Sequence, residues 1–140
     1  MAETIFSTKA TAAGGREGHV KSDNEVVDVN LQMPDKNGIP KDASNPEQLF
    51  ASGYSACFDG ALNLMASKAD KDIESETTAE VSLIKDPEDN GFKLGVTLHV
   101  HIKGVNQEEA EELAHKAHGF CPYSKATKGN IDVNLEVHSE

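Results

Sequence analysis

The 140-residue chain contains two thiols, Cys57 and Cys121, and each stands in a context that suits a reactive group. Cys57 lies in an apolar stretch of helical character, Leu49-Phe50-Ala51-Ser52-Gly53-Tyr54-Ser55-Ala56-Cys57-Phe58. Cys121 precedes Pro122, and proline suits the first position of a helix. Backbone N–H groups and the positive end of such a helix favour a thiolate. A thiol in an apolar wall is inert until a cation is brought to it. The strongest candidate is Arg16, the only arginine, held in Gly14-Gly15-Arg16-Glu17-Gly18, a loop that glycine allows to bend. Its planar fork of donors can hold a thiolate and a carboxylate together. Glu47 favours the positive end of the helix it opens, and acquires a second role if Arg16 needs a carboxylate partner. A plain structural role stands open for each of these residues: a packed cysteine, a capping cysteine, a turn arginine, a first-turn acid.

Other chemistry lacks its pattern. The cysteines are far from Cys-x-x-Cys spacing, so a thioredoxin-type motif is absent. His99 and His101 share one side of a predicted strand, and His115 and His118 lie one helical turn apart, yet no run has zinc spacing and no metal site is expected. The glycine loop lacks the lysine and hydroxyl of a phosphate loop, and no serine sits in a Gly-x-Ser-x-Gly elbow. The net charge of −11 disfavours nucleic acid and anionic membranes as partners. There is no signal-like N-terminus and no window of membrane-helix length, so a soluble cytoplasmic setting is expected, where two cysteines stay free or catalytic. A 37% hydrophobic fraction and a mean hydropathy of −0.50 suit a small subunit that completes its core by pairing with a copy of itself.

The elements that must position these residues follow from periodicity. Alternation predicts strands over residues 4–11, 19–22 and 26–31, with a turn at Gly14-Gly15. Residues 33–46, with three prolines and an Asn-Gly pair, read as a loop. Asn45 caps a helix that opens with Pro46 and Glu47 and runs to about Asp70, apolar nearly all round and therefore expected in a core. A hairpin follows, with strands over 77–85 and 92–102. Asn106 caps a second helix, with Ala110, Leu113, Ala114 and Ala117 as its apolar stripe and Gly119 as its end. A short helical turn after Cys121 and a strand over 131–137 complete an α+β domain spanning residues 1–140, antiparallel strands around a buried central helix.

The glycine-bracketed arginine, the run from Asn45 to Phe58, and His118-Gly119-Phe120-Cys121-Pro122-Tyr123-Ser124-Lys125-Ala126-Thr127-Lys128-Gly129-Asn130 resemble the organic hydroperoxide resistance proteins, one branch of the OsmC/Ohr family. The likeness covers nearly the whole chain. The two cysteine segments are its specific part, and Glu17 departs mildly from the usual aspartate. The resemblance implies a thiol peroxidase that prefers organic hydroperoxides. Cys57 would attack the peroxide and become a sulfenic acid, Cys121 would condense with it to a disulfide, and Arg16 and Glu47 would activate Cys57 and orient the peroxide. It also implies an intertwined homodimer with two interface sites, a dithiol reductant in the lipoyl thiols of metabolic enzymes, and no metal, haem or flavin.

Phe50, Tyr54, Phe58, Leu62 and Phe120 are the expected apolar wall for alkyl tails. The neighbouring OsmC branch, with another peroxide preference, and a non-catalytic dimeric module for small apolar ligands are the alternatives. Glu47 and Cys57 lie ten residues apart on one predicted helix. Either that helix breaks near Gly53, or Arg16 and Glu47 serve the site of a partner chain. The all-round apolar helix favours the partner.

Overall fold

Asn45 starts the long helix as its side chain suggests: Oδ1 accepts the Gln48 N–H at 2.7 Å, and Pro46 takes the first position. The computed structural model describes residues 2–140. The elements in chain order are β1 (Ala10–Ala13), a single 3₁₀ turn (Gly15–Glu17), β2 (His19–Ser22), β3 (Asp28–Asn30), α1 (Pro46–Lys68), β4 (Glu74–Asp86), β5 (Gly91–Lys103), α2 (Gln107–Phe120), α3 (Pro122–Thr127) and β6 (Val133–Ser139). They fall into two compact units, one ending at Leu49 and one over Phe50–Glu140.

The first unit is an antiparallel sheet in the order β1-β2-β3. Its first strand lies later than alternation suggests. Residues 4–9 form no strand and are exposed; on this side the four-residue β2 pairs only with Ala10–Ala13. Ile5 and Phe6 therefore stand open. Leu31, bridged to Ser44, is the one buried apolar side chain among the described residues of this unit.

In the second unit β4 and β5 pair antiparallel over their full length, from Glu74↔Lys103 to Asp86↔Gly91. The last strand departs from a purely antiparallel arrangement, because β6 lies parallel to β5. A parallel neighbour needs a long crossover, and α2 with α3 supplies it. The Asn106 capping box is complete: its side chain accepts the Glu109 N–H at 2.8 Å, and Glu109 reaches back to the Asn106 N–H. Helix α2 continues through Gly119 to Phe120 rather than ending at the glycine.

The core gathers Tyr54, Phe58, Leu62 and Ala66 of α1, Val96, Leu98, Val100 and Ile102 of β5, and the expected Ala110, Leu113, Ala114 and Ala117 of α2. Helix α1 runs unbroken through Gly53 and Gly60. It is not buried all round within the chain, since Ala56, Gly60 and Leu64 are exposed opposite the core-facing stripe. Among the described residues no helix is long and apolar enough to cross a membrane.

Candidate active site

Two of the sequence-derived pairs are brought together, one in each unit. In the first unit the chain leaves β1 through Gly14, whose φ of 82° is a left-handed conformation that glycine adopts freely. A Cβ at Gly18 would lie 1.8 Å from the Ala13 carbonyl oxygen, so only glycine closes this loop. The 3₁₀ turn between them presents Arg16 to Glu47. Arg16 Nη1 donates to Oε1 at 2.7 Å and Nη2 to Oε2 at 2.9 Å, a two-pronged pair. Glu47 raises the pKa of the guanidinium, chiefly through these hydrogen bonds and against some loss of hydration. The glutamate side chain is 15% exposed and the arginine 40%, so the fork is anchored at one end and open at the other. Met33 completes the setting. Its sulfur lies 3.5 Å from Nη1, and its N–H donates to Glu17 Oε1 at 3.3 Å.

In the second unit Cys57 of α1 and Cys121, the residue between α2 and α3, are both free, with sulfurs 3.4 Å apart. Their exposure reverses the simplest expectation. The helix-start thiol of Cys121 is fully buried, whereas Cys57 is half-buried. Burial is the largest influence on Cys57 and pushes its pKa up. The Tyr123 N–H, at the opening of α3, hydrogen-bonds to the sulfur and pulls the other way, while the neighbouring Cys121 adds a smaller upward push. The short helix thus directs a donor at Cys57 rather than at the cysteine that caps it.

Gly53 makes room for this arrangement. A Cβ there would lie 2.6 Å from Tyr123 Oη and 3.1 Å from the ring carbon that bears it. The Tyr123 ring packs with Phe50 and Tyr54 at centroid separations of 5.9 and 5.6 Å. Of the expected apolar wall, Tyr54, Phe58 and Leu62 are fully buried in the core, and Phe50 is half-buried with its ring edge-on to Tyr54. Phe120 is 43% exposed, with the Lys68 and Lys125 ammonium groups 5.3 and 5.5 Å from its ring centre.

Several residues here carry no sequence-level assignment. The Asp59 carboxylate, two positions beyond Cys57, accepts from the Ser75 and Thr77 hydroxyls at 2.9 Å each and ties α1 to β4. Ser124 is buried between Tyr54 and His118. An acid inside an otherwise apolar helix was the available signal for Asp59. The Tyr123 donor is a backbone N–H and has no side-chain signature. Among the described residues no three His, Cys, Asp or Glu side chains are grouped to hold a metal ion.

A family model described as OsmC-like protein matches residues 39–136. Organic hydroperoxide resistance protein OhrB of Bacillus subtilis is 52% identical over 133 residues, covering 95% of this chain and 98% of the relative. OhrA of the same organism is 53% identical over 142 aligned positions, covering 98% and 99%. The crystal structure of an organic hydroperoxide resistance protein from Elizabethkingia anophelis superimposes with a TM-score of 0.91 at 48% identity, covering 99% of this chain and 100% of the other.

Proposed function

We propose, from the premise that the chain belongs to the OsmC-like family and stands with its organic hydroperoxide resistance proteins, that it is a thiol peroxidase reducing organic hydroperoxides to alcohols. The observation that carries this reading is the 3.4 Å approach of two free thiols 64 positions apart. Such a pair can accept an oxygen and then close. The Cys57 thiolate attacks one peroxide oxygen, the O–O bond breaks, and the alkoxide leaves and takes up a proton as the alcohol. Cys57 is then a sulfenic acid. The Cys121 sulfur attacks it, the S–O bond breaks, and the hydroxyl leaves as water with the Cys121 proton. The Cys57–Cys121 disulfide that results is reopened by an external dithiol, for which lipoyl groups are the proposed source.

Arg16 supplies the cation that a half-buried thiol needs, and Glu47 holds its fork in place. Ten helical residues rise about 15 Å, more than a glutamate spans. Because α1 is unbroken, we assign Arg16 and Glu47 to the Cys57 site of a partner chain in a homodimer. The open face of α1, with Ala56, Gly60 and Leu64, is the surface the partner would cover. Phe50 and Phe120 line the alkyl channel in this account, and Tyr54, Phe58 and Leu62 back it from the core. The chemistry calls for no metal, haem or flavin, and the proposed setting is the cytoplasm.

A peroxidase assay tests the proposal. tert-Butyl and fatty-acid hydroperoxides should be consumed faster than hydrogen peroxide, and dihydrolipoamide should sustain turnover better than a monothiol. No peroxide consumption with any reductant would reject it, and leave a binding role.

A further inference from the structure

The buried polar chain beneath the cysteines joins the same segments that carry them. Tyr54 lies three residues before Cys57 on α1, and Ser124 three residues after Cys121 in α3. Their hydroxyl oxygens are 2.8 Å apart, while the sulfurs are 3.4 Å apart. The two segments are thus linked by two rungs one helical turn apart. Only one of them reacts. Tyr54 is fully buried and Ser124 is 2% exposed, so neither hydroxyl has water as an alternative partner.

We propose that the Tyr54–Ser124 hydrogen bond, oriented by His118, is the positioning device that holds Cys121 within attacking distance of Cys57. This rests on the thiol peroxidase reading above. The residues are positioning rather than catalytic, since none of them touches a reacting atom in the proposed steps.

One continuous run of donors and acceptors satisfies the chain. His118 Nδ1 lies 2.8 Å from Ser124 Oγ. Burial lowers the pKa of His118, and His115 and Lys128 push the same way, which favours the neutral ring, whose Nδ1 accepts when the proton sits on Nε2. Ser124 has one hydroxyl proton, and giving it to His118 leaves its oxygen to accept from Tyr54. Thr127 spends its own proton on the Ser124 carbonyl at 3.1 Å. Tyr54 Oη also lies 3.4 Å from Thr127 Oγ1, and the 2.8 Å approach to Ser124 is the shorter and stronger of its two contacts. A bond of this kind between two fully enclosed groups fixes the separation of their segments, and with it the effective concentration of one thiol at the other.

The test is the reduction potential of the Cys57–Cys121 couple, measured by equilibration in dihydrolipoate and lipoate mixtures. It needs no peroxide. Tyr54→Phe and Ser124→Ala each delete the bond while keeping most of the packing. Each should lower the effective concentration of the thiols about tenfold, which raises the potential by about 30 mV for this two-electron couple. The double variant should shift no further than either single variant, because they remove one shared interaction.

With peroxide in excess, so that a second equivalent can oxidise a sulfenic acid that Cys121 has not captured, the single variants should also carry more Cys57 sulfinic acid than the wild type. Val100→Ala, a core truncation on β5, should lower Tm and leave the potential in place. Should Tyr54→Phe fail to fold, Ser124→Ala carries the same comparison. Unchanged potentials in the folded variants, or an equal shift in Val100→Ala, would overturn the positioning role. A wild type that forms no disulfide in this titration would overturn the peroxidase reading with it, and the two failures are told apart by the wild-type result.

Discussion

Cys57 is under opposed influences: burial holds the thiol protonated, and one backbone N–H from Tyr123 favours the thiolate. Burial wins, so a cation is required for rapid attack near neutral pH. The sign of the pH dependence follows. With its pKa raised, Cys57 is more protonated at a given pH, and the peroxide rate of Arg16→Ala should keep climbing into the alkaline range. The wild-type rate should level off at lower pH. Stopped-flow oxidation across pH checks this, and equal midpoints would remove Arg16 from thiolate formation. Arg16→Lys should be nearly as damaging as Arg16→Ala, about 100-fold or more in kcat/KM, because an ammonium keeps the charge but cannot reproduce the two-pronged grip on Glu47. Retention of most wild-type kcat/KM in the lysine variant would mean that charge alone suffices. The pairing of Arg16 with Glu47 was legible as one option, because a lone arginine among glycines and a first-turn acid are both visible in the chain. The inverted exposure of the two cysteines was not, since a position before Pro122 reports a helix start and says nothing of burial.

Among the elements, Gly53 shows what close packing asks of a helix. Alanine normally improves a helix interior by about 0.5–1 kcal/mol over glycine. In α1 the added methyl would press on the Tyr123 ring, so Gly53→Ala should destabilise by about 1–3 kcal/mol. Gly119→Ala in α2, where a Cβ meets nothing within 4 Å, should be neutral or stabilising. Urea unfolding of both variants decides the matter, and a stabilised Gly53→Ala would contradict the packing.

The sheet carries a pH-dependent element as well. His99 Nε2 lies 2.9 Å from Glu80 and Nδ1 3.0 Å from Glu136, so one imidazole on β5 bridges β4 and β6. The Glu80 hydrogen bond is the largest cause of its raised pKa. The stabilisation is therefore full below the unfolded value of about 6.5 and is lost as pH rises through the higher folded value. Wild type should lose more stability than His99→Gln between about pH 6 and about pH 9, and parallel pH profiles would dismiss the bridge. The α2 stripe and its cap were legible because the 3.6-residue period and an Asn-x-x-Glu start are local signals. The parallel placement of β6 was not legible, because a strand alternates in the same way whichever direction its neighbour runs. Of the alternating run 4–11, Ala10 and Thr11 enter β1 and pair with β2, and the four-residue β2 offers no partner to the residues before them.

For the whole molecule the central question is whether two chains build each site. A mixed dimer of a Cys57→Ser chain and an Arg16→Ala chain should keep one intact site and show about half of wild-type activity if the site is shared across a two-fold axis. Near-zero activity in the purified mixed dimer would place all four groups in one chain. The thiol chemistry itself has a more direct test, independent of assembly. Reduced protein treated with one equivalent of tert-butyl hydroperoxide and examined by intact mass spectrometry should lose two hydrogens, with the Cys57 and Cys121 peptides joined and one equivalent of alcohol released. Cys121→Ser should instead gain oxygen at Cys57. An unchanged mass with the peroxide intact, or oxidation that leaves Cys57 untouched, would contradict the account.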